Sequence, residues 1–463
     1  MIWTTTRWIV RITTLVALAS TSTFAVAQRT SFVDPFIGTG GTGHTFPGAT
    51  TPFGMVQLSP DTRIDSSWEG CAGYYYDDPH IYGFSHTHLS GTGISDYGDV
   101  MFMPFYGEPT VDPDEYRSAF RHDTEEASPG YYAVTLDDED IRVRLTSTTR
   151  VGLQEYTFPR AGWVNVILDL THRDRLTEGI ALVENTFDAV HGLRRSTGWA
   201  DNQYVYFHSQ FSRPYDEAIE YDGPEGTRQM IFRFRVEAGD KLLIRTGLSS
   251  TDVTGALRNL IHEMPGWDFE EVRATADSTW NQELGKIVIE GGSVEERTNF
   301  YTALYHTMIA PNIWSDVDGR YRGHDGEIHR ADHDVYTVFS LWDTFRTLHP
   351  LLTLIDPDRT RDFIRTMLLI YEQGGRLPVW ELAANETDTM IGFHSVPVIA
   401  DAHVKGIRGF DAELALEAMI AASQHDEFGQ PEFNERGFLS IEDESESVSK
   451  TLEYAYDHWV ISQ

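Results

Sequence analysis

Phe269-Glu-Glu-Val-Arg-Ala-Thr-Ala-Asp-Ser-Thr-Trp-Asn-Gln-Glu-Leu284 is the stretch where the chain changes its hydrophobic period. Phe269, Val272, Ala276, Trp280 and Leu284 recur every three or four residues and make one face of a helix. It begins just after Pro265-Gly266-Trp267. Everything before it reads with a period of two. Ile141, Val143 and Leu145 alternate with Arg142 and Arg144, and Met230, Phe232, Phe234 and Val236 alternate with Ile231, Arg233 and Arg235. Val164, Val166, Leu168 and Leu170 repeat the pattern. Half-buried strands separated by Gly, Pro and Asp clusters predict an antiparallel β-sandwich over residues 29–262. Residues 263–290 read as a helical linker, broken by Ile287-Val-Ile-Glu-Gly-Gly292. From 291 to 463 the period is helical. Tyr301, Leu304, Tyr305 and Met308 fall on one face, as do Ile364, Met367, Leu368 and Tyr371, and Leu416, Met419 and Ile420 mark an inner face of a helix over 411–422. The long polar segments 311–336 and 373–396 read as loops, and long loops in a helical domain tend to carry function.

The chain has 463 residues, enough for two domains with real cores. Residues 1–27 read as a secretory signal peptide: Arg7 and Arg11 form a positive start, an apolar run follows, and Ala25-Val26-Ala27 is a cleavage site. A periplasmic or secreted protein is therefore expected, with no membrane insertion after cleavage. Cys71 is the only cysteine, which excludes an intramolecular disulfide and a Cys-based zinc site. The net charge of −35 opposes nucleic acid and anionic membranes as partners.

Val448-Ser-Lys-Thr-Leu-Glu-Tyr-Ala-Tyr-Asp-His-Trp459 reads as a helix with Val448, Leu452, Ala455 and Trp459 on its apolar face. Glu453, Tyr456 and Asp457 lie on another face, which suits the wall of a polar pocket. Ser340-Leu-Trp-Asp-Thr-Phe-Arg346 places Trp342 and Asp343 near a helix start, and the 377–397 segment adds Trp380, Glu381, Glu386 and His394. Glycosidases need such carboxylates beside indoles: one acid to protonate the leaving oxygen and a second carboxylate to act on water or the sugar. In the β half, Trp68 and the pair His86 and His88 stand out, the two histidines expected to point the same way on a strand. Without a placed third ligand, sugar or structural hydrogen bonding is favoured there over a metal. The glycine-rich run Asp34-Pro-Phe-Ile-Gly-Thr-Gly-Gly-Thr-Gly-His44 has the wrong spacing for a dinucleotide loop.

Together these strings resemble the calcium-dependent exo-acting α-mannosidases of glycoside hydrolase family 92. The resemblance rests on Val33-Asp-Pro-Phe-Ile-Gly-Thr39, Phe46-Pro-Gly-Ala-Thr-Thr-Pro-Phe-Gly-Met55, Gly83-Phe-Ser-His-Thr-His88, Leu341-Trp-Asp-Thr344, Glu386-Thr-Asp-Thr-Met-Ile-Gly392, Pro397-Val-Ile-Ala-Asp-Ala402 and Ser449-Lys-Thr-Leu-Glu-Tyr-Ala-Tyr456. It implies a β-sandwich followed by a partial (α/α)₆ catalytic barrel, and an inverting, calcium-assisted (Ca2+) release of terminal mannose from α-mannoside glycans. By the motif match Glu453 corresponds to the general acid. Trp68, His86, His88, Trp342, Asp343 and Glu386 correspond to substrate-pocket positions. The family's base lies in a later Gly-Asn-Asp-rich motif, so the base and most calcium ligands are expected beyond residue 463, and the chain reads as C-terminally truncated. About 170 residues at about 25 per helix and loop hold about seven of the barrel's twelve helices. Two other readings stand beside this one: a glycosidase or phosphorylase of other specificity on the same plan, and a truncated carbohydrate-binding remnant without hydrolysis.

Overall fold

The computed structural model describes residues 28–65 and 67–463, so the expected signal peptide lies outside the described residues. Two antiparallel sheets make the N-terminal half. One runs, in spatial order, Glu217–Gly223, Gly226–Val236, Gly162–Asp169, Met101–Tyr106, Gly83–Ser85, Gln57–Asp61 and Ala49–Thr50. The other runs Arg175–Val183, Ala189–Thr197, Gln203–Phe211, Lys241–Ser249, Val151–Thr157, Ile141–Ser147, Tyr131–Leu136 and Glu126–Ser128. A single parallel bridge, Gly179 to Gly226, joins them into one path. Far from that bridge the sheets meet again, where Val56 N–H donates to Thr149 O at 3.1 Å. The result is a sandwich that nearly closes into a barrel.

The alternation read from sequence fills its interior. Ile141, Val143, Leu145, Val164, Val166, Leu168, Phe232 and Phe234 are wholly buried in one core. At about 25 cal/mol per Å² of apolar surface, each such side chain contributes about 1.5–3 kcal/mol before entropy is counted. The helix Val253–Glu263 interrupts the stretch read as strands. Asp252 caps it by accepting from Gly255 N–H, and Asn259 donates to Leu248 O at 2.7 Å, which lays it on the outer face of the second sheet.

Phe269–Leu284 is a helix, with Phe269, Ala276, Trp280 and Leu284 buried. Its indole reaches back into the β half, where Trp280 Nε1–H donates to Thr50 O at 2.6 Å. Val33, Phe46 and Phe53 likewise belong to the helical core. The first described segment therefore ties the halves together, reinforced by Phe53 N–H to Met308 O at 2.7 Å.

The helical half contains Val294–His306, Leu348–Ile355, Pro357–Gly374, Ser395–Val404, Ala412–Ala422, Gln430–Arg436 and Ser447–Ser462, besides the short turn Leu341–Thr344. The β-then-helical order expected from sequence is what the structure has. Two details differ. The segments read as loops carry short strands, notably a three-stranded sheet of Phe339–Ser340, Trp380–Leu382 and Asn385–Glu386. Two apolar faces also point outward. Val448, Leu452 and Trp459 are 74, 67 and 57 % exposed, and Leu416 and Ile420, read as inward, are 45 and 40 % exposed. The Ser447–Ser462 helix instead buries Lys450, Tyr454, Asp457 and Val460, because Lys450 pairs with Glu444 at 2.8 Å and Asp457 pairs with His394. Ala412–Ala422 buries its small face, Ala415, Ala418 and Ala422, with Met419.

Three buried histidines give the fold a pH dependence. Burial pushes His86, His306 and His349 down to about 4. In the unfolded chain each titrates near 6.5. Between these values the unfolded chain binds more protons, so stability is complete above pH ~6.5 and falls with acid down to pH ~4. Each histidine supplies a slope of about 1.4 kcal/mol per pH unit. Urea unfolding at pH 7.5 and 5.0 is expected to show the loss, and His349→Leu to reduce it. Equal slopes for the two proteins would refute the assignment.

Candidate active site around Glu453

Glu453 stands on the Ser447–Ser462 helix with its side chain 15 % exposed. On one side, Arg346 Nη2 donates to both of its oxygens, at 2.9 and 3.0 Å. On the other, His394 Nε2 lies 3.5 Å from Glu453 Oε2. His394 is fixed in turn by Asp457, one helical turn beyond Glu453: His394 Nδ1 to Asp457 Oδ1 is 2.9 Å, and Phe393 N–H donates to Asp457 Oδ2 at 3.0 Å. Both His394 and Asp457 are buried. Burial pushes the Asp457 carboxyl above its usual range, while the His394 hydrogen bond pulls it down. The outcome is a relay of Asp457, imidazole and Glu453 whose middle ring has one nitrogen committed and Nε2 without a hydrogen bond.

Aromatic rings frame this relay. Phe345 stacks on His394 with centroids 3.9 Å apart, and Tyr456 packs on Phe345 at 5.9 Å. The Arg346 guanidinium sits 4.6 Å above the Phe345 ring. Gly392 makes room for the imidazole. Its φ is +84°, and a Cβ there would meet His394 Nε2 at 2.3 Å. A side chain at 392 would thus be strained and would displace the ring facing Glu453.

Trp342 and Asp343 lie on the Leu341–Thr344 turn just before Phe345. Trp342 is 39 % exposed, and Asp343 accepts a short hydrogen bond from Ser340 Oγ. Glu386 is otherwise engaged. Its carboxylate accepts from Val379 N–H at 2.7 Å and from Trp380 and Asp388 N–H at 2.9 Å each. Burial raises its pKa against those three bonds. Glu381 does the same one strand away, accepting from Val338 N–H at 2.9 Å, Ala384 N–H at 2.8 Å and Thr337 Oγ1 at 3.0 Å. Val338, Ala383, Ala384, Asp388 and Met390 all have positive φ. Such backbone is costly for non-glycine residues, so it persists only where neighbours over-determine it. The two carboxylates hold this strained hairpin in place.

The hairpin docks on the β half. Trp380 meets Trp199 edge-on at 5.5 Å, and Asn385 and Asn202 exchange side-chain to backbone hydrogen bonds at 3.0 and 3.1 Å. Trp68, His86 and His88 find their partners within the β half. Trp68 is 59 % exposed and packs edge-on against His44 at 4.6 Å. His86 and His88 follow the strand Gly83–Ser85 and do not share a target. His86 Nδ1–H donates to Val100 O at 2.7 Å, and its ring lies under Gly152. His88 bonds Gln57 O at 2.7 Å and Asp61 Oδ1 at 3.1 Å. Asp61 is held well below the usual carboxylate range by His172 and His88 in spite of its burial.

The sequence put Asp457 beside Glu453 on a pocket-like helix face and noted His394 in the 377–397 segment, but gave neither of them, nor Arg346, a role at the site. The pairing itself leaves no local trace, because His394 lies 59 and 63 positions from its partners in the chain. A cleft of about 1200 Å³ lies elsewhere among the described residues: an open polar groove lined by Arg150, Glu263, Asp318, His333, Asp334 and Arg365. Among the described residues one grouping of three His, Cys, Asp or Glu side chains can hold a metal ion, Glu184 with His191 and His208. No helix among them is long and apolar enough to cross a membrane.

Two family models match the chain: the glycosyl hydrolase family 92 N-terminal domain over residues 32–249 and the glycosyl hydrolase family 92 catalytic domain over residues 255–463. A family GH92 α-mannosidase from Bacteroides thetaiotaomicron, solved with mannoimidazole, superposes with a TM-score of 0.89 at 36 % identity, over 94 % of this chain and 61 % of that one. A family GH92 inverting mannosidase from the same organism superposes with a TM-score of 0.86 at 32 % identity, over 94 % of this chain and 62 % of that one. A curated relative from Arthroderma benhamiae, named an uncharacterized secreted glycosidase, is 27 % identical over 93 % of this chain and 59 % of its own length. The chain thus spans about three fifths of the length of these relatives. With both family models matched in order and the two-domain fold shared, the chain belongs to glycosyl hydrolase family 92.

Proposed function

We propose that this protein is an exo-acting glycoside hydrolase that releases terminal α-linked mannose with inversion, and that Glu453 is its general acid. The observation that carries the reading is the setting of Glu453: a mostly buried carboxyl beside aromatic rings, backed by the His394–Asp457 pair and faced by Arg346. The reacting form carries a proton on Glu453, so the Arg346 contact opens when substrate enters. Arg346 is 61 % exposed, and such a surface pair is worth only about 0–1 kcal/mol. Glu453 then gives its proton to the glycosidic oxygen as the bond from the anomeric carbon to that oxygen breaks. Water adds to the opposite face of the sugar. Asp457 fixes the His394 ring, which stands 3.5 Å behind the Glu453 carboxyl. Trp342 and Asp343 are proposed to contact the mannose, with Trp68 at the sandwich rim. Glu386, His86 and His88 are proposed to shape the loops around the pocket from within.

An inverting site also needs a second carboxylate about 6.5–9.5 Å from the acid. Glu381 and Glu386 are committed to backbone N–H groups and are not free for that task. Calcium takes six to eight oxygen ligands. The metal-capable grouping among the described residues offers two imidazole nitrogens and one carboxylate, which does not fit calcium. The steps above are accordingly those of the chain's own side chains. Export to the periplasm or the medium belongs to the same proposal, supported by the word secreted in the fungal relative's name.

The test is to incubate the protein with α-mannobiosides and follow the products by proton NMR. Free mannose appearing first as the β-anomer supports the reading. Sugar phosphate formed only with added phosphate would make the protein a phosphorylase. Mannoside binding without turnover would make it a binding protein.

A further inference from the structure

Three consecutive strands bring Glu184, His191 and His208 to one spot at the edge of the second sheet. His191 and His208 are directly opposite each other on the antiparallel strands Ala189–Thr197 and Gln203–Phe211. Leu182 is opposite His191 on the strand before. Side chains alternate between faces, so Glu184, two residues past Leu182, shares the face of both histidines. The tight turn after Glu184, closed by its N–H donating to Ala189 O at 3.1 Å, keeps it there.

Glu184 Oε1 lies 3.0 Å from His208 Nε2 and 3.4 Å from His191 Nδ1. One ligand atom from each residue falls within 4.8 Å of the others. A tetrahedral zinc ion with ligand bonds of about 2.0–2.1 Å sets neighbouring ligand atoms about 3.3 Å apart. Two of the three edges already have that length. The imidazoles lie parallel, 5.8 Å between centroids and 10° between planes. His208 is 2 % exposed, and His191 Nδ1, the atom that faces Glu184, is buried without a hydrogen-bond partner. A buried nitrogen left unsatisfied calls for a partner, and an ion shared with Glu184 Oε1 and His208 Nε2 would supply one.

We propose that Glu184, His191 and His208 bind one divalent transition-metal ion, zinc, in a site separate from Glu453. Two nitrogens and one carboxylate oxygen make a zinc ligand set with a fourth position left for water. Glu184 and His191 are partly exposed and leave that position open to solvent. Calcium, which prefers oxygen, is a poor match. Gly247, opposite His208 on its other side, has no side chain, and the Val253–Glu263 helix passes over it: a Cβ there would meet Ala256 O at 2.4 Å. Arg245 is the nearby cation, but it is turned to Gln210 at 2.6 Å and stacked on Trp267 at 4.4 Å. The far end of the same hairpin carries Trp199, which touches Trp380. At about 3.3 Å per residue the proposed ion is roughly 20–25 Å from that contact. Its role is to clip three strands at the outer end of the sandwich, and nothing in it depends on the mannosidase reading.

Metal-stripped protein should be titrated with zinc chloride against a chromophoric chelator, with melting followed in parallel. One zinc per chain is expected to bind and to raise the melting temperature, while calcium chloride does not compete. His191→Ala and Glu184→Gln, both at partly exposed positions, are expected to lose at least about 100-fold in zinc affinity. Mannoside hydrolysis, where present, should survive both changes. Zinc uptake equal in wild type and both variants, or no uptake by the wild type, overturns the proposal.

Discussion

Glu453→Gln lowers the hydrolysis of mannosides with poor leaving groups by about 10²–10⁴-fold, the range lost when a positioned general acid is removed. Glutamine keeps the shape of the side chain and one oxygen for Arg346, so the helix and its packing stay. It lacks the acidic proton that the departing sugar oxygen needs. The dependence on leaving group is the diagnostic part. An aryl mannoside that departs as a stabilised phenolate needs little protonation and should lose far less than a mannobioside. The alkaline limb of the pH–rate profile, where the acid loses its proton, should vanish with the carboxyl. Kinetics on the two substrate types decide the matter. An equal loss on both would make Glu453 a structural or binding residue, and full activity on mannobiosides would remove it from the site altogether.

The sandwich interior was legible in the sequence because a buried sheet face selects period two over Ile141, Val143 and Leu145, and over Met230 to Val236, where only Ile231 on the other face is buried as well. The helix Phe269–Leu284 was legible for the parallel reason. The last helix was legible as an element but not in its orientation. Val448, Leu452 and Trp459 form the better apolar stripe, yet they face out, because Lys450 and Asp457 find partners in Glu444 and His394 that satisfy them inside. A charged residue with a partner can be buried, and a partner 63 residues away leaves no local trace. The same blindness applies to carboxylates. Glu381, Glu386 and Glu453 look alike in sequence. Structure separates them by what they accept from: three donors each, mostly backbone amides, for the first two, and an exposed guanidinium beside an imidazole for the third. His86 and His88 show the converse, a spacing that suggested one target and a backbone that sends the rings to two.

Arg194→Met should be the most damaging single change to the β half, at about 3–5 kcal/mol. Arg194 is wholly buried, and all five of its N–H donors are used. Nε donates to Leu170 O at 2.9 Å, Nη1 to Asp99 Oδ1 at 2.6 Å and Ser196 Oγ at 3.0 Å, and Nη2 to His172 O at 2.8 Å and to Asp174. Methionine fills much of the volume but strands two carboxylates without a counter-charge. Asp174 is already held above the usual carboxylate range, by burial first and by Asp99 next among the raising influences, with Arg194 opposing. Without the guanidinium the Asp174 carboxyl would take up a proton more readily. A raised folded-state pKa adds stability at low pH that is lost as pH rises, so the deficit of the variant is expected to be larger at pH 7.5 than at pH 5. The damage would spread toward the domain junction. Asp174 shares Gln203 with Asp96, and Asp96 accepts from Trp199 and Ala200 N–H, which place Trp199 against Trp380. Urea unfolding of the variant at both pH values, with tryptophan emission as the probe, reads both effects. A loss under about 1 kcal/mol, or one equal at the two pH values, would mean that the carboxylates find other partners and that Arg194 does not hold this network together.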